Sequence, residues 1–393
     1  MSNHIPQSEK HNVWSLLRIL IVIVFAFATG AQAQEPPSLA RNTVSKPALT
    51  AIQEATSALA NLPEADSLVY INPRRILSEA APRVLPEKDL EEMRQGLAEI
   101  KKNVGIDPAN IDYVVFQVRF RKPGADLSFS LPEFMLVVKG DFDGGALIQL
   151  AREASKGKLR DESYGSKTIS LLTIDDVARQ AEKTPILKSL SEVAISLISG
   201  DTIAIGTTNY VKAAIDAGAG KNRISADLLN SALRDPTVLV SSAGSPLTAF
   251  AKTFALLGTE NNPRAPRCDM KLGDFYSSIT MDATSFKLRA AVYADNPDTA
   301  KIIKSLLSTA MQSAASAIKD SKAQSVINSL VITPTETEVL IQADVSQQAV
   351  ADFIRDETRP KKQEAAASAP AEPEKKTTPK RRTRRTRRSR PKT

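Results

Sequence analysis

Tyr113 to Phe120 reads YVVFQVRF, and Phe134 to Lys139 reads FMLVVK. Both runs are dense in β-branched and aromatic residues and too short for a stable helix, so they predict a pair of strands. Across the chain, adjacent strands joined by short links favour antiparallel pairing. Upstream, Leu90, Met93, Leu97, Ile100 and Val104 recur at intervals of three and four. That spacing predicts an amphipathic helix with charge on its other faces, stopped by Gly105. Before it, Leu68-Val69-Tyr70-Ile71 predicts a strand that Asn72-Pro73 ends. Downstream, Asp143 is placed to cap a helix from Gly144 to about Ala154, which buries Leu147 and Leu150 or Ala151. Further strands are predicted near Thr168–Leu172, Val193–Ile198 and Thr202–Gly206. A helix from about Asn209 to Ala217 then ends at Gly218.

A second half repeats this order. Thr237 to Val240 corresponds to Leu68–Ile71, and Phe275–Met281 with Phe286–Val292 corresponds to the opening pair. Asp295 to Met311, with Ala300, Ile303, Leu306, Leu307 and Met311 on a wide apolar stripe, corresponds to the helix after Asp143. Val331-Ile332 and Glu338–Ala343 then precede a helical stretch at Val345–Ile354. The expected fold class is α+β: two related modules, 62–225 and 226–356, of largely antiparallel sheet with helices on one face. The modules can stack as separate layers or merge their sheets, and the sequence leaves both open.

The ends differ from this body. Lys10 and Arg18, the apolar run ILIVIVFAFA at Ile19–Ala28, and Ala31-Gln32-Ala33 have the three regions of a secretory signal peptide over 1–33. A linker and short helix from about Pro47 occupy 34–61. A Pro/Ala/Glu/Lys-rich spacer at 357–374 has no residue suited to anchor a core, and 375–393 predicts a disordered arm. The arm holds Arg381, Arg382, Arg384, Arg385, Arg387, Arg388 and Arg390 and no acidic residue. The net charge of +8 therefore describes the arm, while the body between signal and arm is mildly acidic. The expected location is periplasmic or otherwise extracytoplasmic, and soluble once the signal is cleaved.

Four stretches carry a family resemblance: LPEADSLVYINPRRILSEAAPRVLP at 62–86, GIDPANIDYVVFQVRF at 105–120, GDFDGGALIQLA at 140–151 and GDTIAIGTTNYVKAAIDAG at 200–218. Together they resemble a family of predicted secreted bacterial proteins with a duplicated extracytoplasmic α+β domain of unknown function. The resemblance spans roughly 62–355, leaves out the arm, and implies the fold without any catalytic residue.

Cleavage of the signal removes His4, His11 and Trp14, so the mature chain has neither histidine nor tryptophan, and its single cysteine is Cys268. A Ser-His-Asp or Cys-His arrangement then lacks its base. Zinc lacks ligands, an internal disulfide lacks a partner, and no cofactor is expected. Gly220-Lys221 misses the phosphate-loop pattern, because Ile215 stands where glycine is needed. Cys268 reads as an incidental thiol in a polar link.

Two readings of function remain, and they call on different residues. In the first, a non-catalytic envelope protein uses the seven arginines to hold anionic lipid, lipopolysaccharide or acidic polysaccharide, with nucleic acid as second choice. In the second, a carboxylate-dependent hydrolase draws on Asp112, Asp141, Asp143 or Asp274. It needs two acids facing each other across a cleft, at least one of them with a raised pKa.

Overall fold

The computed structural model describes residues 56–120, 132–173, 192–235, 237–245, 274–317, 324 and 329–358. Residues 1–33, predicted as a signal segment, Cys268 and all seven arginines of the predicted arm lie outside them. Among the described residues twelve strands form one antiparallel sheet. The first seven are β1 (Ser67–Ile71), β2 (Ile111–Arg119), β3 (Glu133–Gly140), β4 (Leu159–Tyr164), β5 (Lys167–Thr173), β6 (Glu192–Ser199) and β7 (Thr202–Gly206). The remaining five are β8 (Val238–Gly244), β9 (Phe275–Met281), β10 (Ser285–Tyr293), β11 (Val331–Pro334) and β12 (Glu338–Ser346). The opening pair of the sequence is β2 and β3, joined in register from Tyr113↔Lys139 to Arg119↔Glu133.

Helices interrupt the strands, and two of them, over residues 73–84 and Ala226–Ala232, are not among those that the apolar spacing predicts. A three-part helix α1 (Pro73–Arg75, the π-helical Ile76–Ala80, and Ala81–Val84) follows β1, and α2 (Glu87–Val104) leads to β2. Gly105, at φ +76°, ends α2 in the left-handed conformation that glycine adopts without a Cβ penalty. The others are α3 (Gly144–Ala154), α4 (Thr208–Gly218), α5 (Ala226–Ala232), α6 (Pro297–Ala317) and α7 (Gln347–Thr358).

The two halves merge into one sheet rather than stack. Outward from β1 the order is β2, β3, β7, β6; outward from β8 it is β9, β10, β12, β11. The equivalent strands β1 and β8 pair with each other from Ser67↔Gly244 to Ile71↔Val240 and form the seam. The hairpin β4–β5 extends the first half beyond β6. One buried cluster bridges the seam, joining Leu59, Tyr70, Val115, Val137 and Tyr210 to Leu229, Leu233, Ala243, Tyr276 and Ala291.

Register also decides which face each helix covers. Leu288, Ile279, Val240, Ile71, Val114, Val138 and Ile203 are successive partners across the sheet. The adjacent row is Arg289, Ser278, Ser241, Tyr70, Val115, Val137 and Ala204, and adjacent residues of a strand point to opposite faces. On the back face, the side of Ile71, α6 packs through Ala300, Ile303 and Met311, and α1 packs through Ile76 and Ala80. There α7 also meets Phe286 and Val84 through Ala351 and Ile354. On the front face, the side of Tyr70, α4 lays Val211 on Ile169, Leu171 and Ala194. Leu229 of α5 and the helical turn at 56–59 join the bridging cluster there. The expectation of helices on one face is thus corrected to helices on both. The added hairpin β4–β5 widens the sheet and supplies Ile169 and Leu171 as a bed for α4.

Candidate functional site

The four candidate carboxylates divide between two ends of the sheet. Asp112, at the start of β2, pairs with Arg74 of α1 at 2.8 Å. Asp141 is brought to the same end, where its N–H donates to the Asn110 carbonyl at 3.0 Å. Asp143 caps α3 as its position predicts, accepting from the N–H groups of Gly145 and Ala146 at 2.9 and 3.1 Å. Asp274 immediately precedes β9, three strands from β2 and beyond the opposite end of Asp112's strand. Three strand spacings and six residues of rise put it more than about 20 Å from Asp112, outside the range a carboxylate pair requires.

Charge at the sheet end near Asp112 is compensated by local partners. Asp201 accepts from Lys139, from Ser199 at 2.7 Å and from Thr202 at 2.9 Å; the Lys139 bond leads in pulling its pKa down to about 2. Asp282 is lowered as well, first by the backbone N–H of Thr284 and then by Lys287 and the Ser285 N–H. Glu79, Asp107, Asp161, Glu162, Asp216 and Asp298 are likewise lowered, each led by a hydrogen bond. None of these displaced carboxylates is the raised acid that the hydrolase reading needs. Among the described residues no cluster of three or more His, Cys, Asp or Glu is placed to hold a metal ion.

Two buried polar networks, which sequence reasoning missed, are closed internally. Asp235 accepts from Ser278, from the Tyr276 hydroxyl at 3.2 Å and from Arg289 at 3.1 Å. Arg234 lies over the Tyr276 ring at 5.0 Å and pairs with Glu338 at 3.4 Å. Burial first, and the charge of Asp235 second, push the Tyr276 phenol up to about 12. In the first half, buried Glu133 accepts from Arg119 at 2.5 Å, and Arg119 lies over the Tyr210 ring at 4.7 Å. A cleft of about 510 Å³ opens beside Arg234, with Asp227, Asp274, Phe275 and Tyr293 in its walls. Gly244 at the end of β8 also lines it.

An apolar surface that keeps solvent contact lies on the opening strands, and Ile302 and Leu306 of α6 are more exposed still. The front face of the opening strands is fully buried: Tyr113, Val115, Met135 and Val137 are each 4% exposed or less. Their back face carries Val114, Phe116 and Val118 on β2, Phe134, Leu136 and Val138 on β3, and Ile205 on β7. All of these retain solvent contact, and Phe116 is 38% exposed. The Phe116 and Phe134 rings stack at 6.4 Å, so the face is organised rather than merely uncovered. The apolar stripe of α2 is also incompletely buried: Leu90 is inside, Met93, Leu97 and Ile100 are half-buried, and Val104 is exposed. In the second half, the equivalent back face lies under α6. The alternation in YVVFQVRF was visible in sequence, but apolar residues on both faces gave no sign of which one stays open.

Arg381, Arg382, Arg384, Arg385, Arg387, Arg388 and Arg390 lie outside the described residues, as does the predicted signal segment. Among the described residues no helix is long and apolar enough to cross a membrane. No protein-family model matches the chain, and no curated protein matches it. Solved structures of TP0453 are similar at low levels. Crystal form I shows 12% identity and a TM-score of 0.39 over 76% of this chain and 96% of that one. Crystal form IV shows 13% identity and a TM-score of 0.40 over 76% and 98%. At these values the likeness says nothing about function.

Proposed function

We propose that this chain is a non-catalytic binding or scaffolding protein of the cell envelope, exported to the periplasm or an equivalent extracytoplasmic space. Its modules, 62–225 and 226–356, provide the binding body. Its arm, through Arg381, Arg382, Arg384, Arg385, Arg387, Arg388 and Arg390, attaches that body to an anionic surface. The observation that carries the reading is the half-exposed apolar face around Phe116, set beside Asp112 held in an ion pair and Asp143 held in a helix cap. A contiguous apolar face that keeps solvent contact is the kind of surface that contact sites use. Guanidinium groups fork onto phosphate or carboxylate oxygens, and several together bind in a salt-sensitive way. Truncation after Pro373 tests the attachment: association with envelope fractions at low salt should fall sharply. Unchanged retention would sink the arm's role, and preference for DNA over anionic vesicles in competition would favour a nucleic-acid partner instead.

A further inference from the structure

We draw no further inference here: the strongest candidate, the cleft of about 510 Å³ beside Arg234 with the exposed carboxylates of Asp227 and Asp274 in its walls, rests on those two surface acids with no second observation in the structure that points to a ligand.

Discussion

Replacing Gly244 by alanine should loosen the seam that makes one sheet of two halves. Gly244 ends β8 opposite Ser67 of β1, at φ +126°, a region that side chains of L-residues rarely enter. A Cβ there would overlap the Asp66 carbonyl oxygen and stand 2.5 Å from the Ser67 Cα. The same carbonyl accepts from the Ser245 N–H at 2.9 Å, so it cannot withdraw without losing that bond. Backbone strain of this kind costs about 1–3 kcal/mol, and forcing atoms into a packed contact costs about 1–3 kcal/mol more. The expected loss is about 4 kcal/mol, a large part of a typical folding free energy of about 5–15 kcal/mol. It should lower the melting temperature by roughly 10 °C. Urea titration followed by far-ultraviolet circular dichroism measures the loss directly. Gly96→Ala is the control, since nothing lies within 4 Å of its Cβ position in α2. It should be neutral or stabilise by up to about 1 kcal/mol. If Gly244→Ala lost less than about 1 kcal/mol, the close β1–β8 approach and the argument built on it would be refuted.

Three further substitutions address Asp235 and Asp201. Asp235→Ala leaves Arg289 and the hydroxyls of Tyr276 and Ser278 without their shared acceptor. It should destabilise by about 2–3 kcal/mol, moderated because Arg289 retains some water contact, and Asp235→Asn should cost less; chemical denaturation checks both. The pKa of Asp201 is depressed to about 2, so its contribution to stability is complete above the ordinary carboxylate value and disappears as pH falls from about 4 to about 2. Asp201→Asn should therefore flatten that part of the melting-temperature profile. The effect will be small, since the Asp201 side chain is half-exposed; an identical acid limb in wild type and variant would remove Asp201 from the account.

Local signals were legible. Gly105 stops α2, Asp143 caps α3, and the opening strands lie within two residues of their predicted limits, because each depends on interactions a few residues apart. β4 escaped notice because LRDESY has no apolar alternation. Its charged side chains instead hold an edge strand through Arg152–Asp161, Arg160–Glu192 and Lys212–Glu162. The carboxylate candidates could be named but not placed. Only the strand order separates Asp274 from Asp112, and only the partners of Asp112 and Asp143 show that both have structural tasks.

By itself, the sequence determined the α+β class, the antiparallel habit of neighbouring strands, the repeated order of elements and the mismatch between an acidic body and an arginine-rich arm. Those follow from periodicity, short links and charge, all local or summed quantities. Tertiary structure alone decided that β1 pairs with β8, that the helices occupy both faces, and that the back of YVVFQVRF stays partly open. Strand partners lie far apart in sequence and side chains alternate with a period of two. The face presented to solvent is therefore fixed by register and by which helix arrives to cover it, and neither can be read from the strand's own residues.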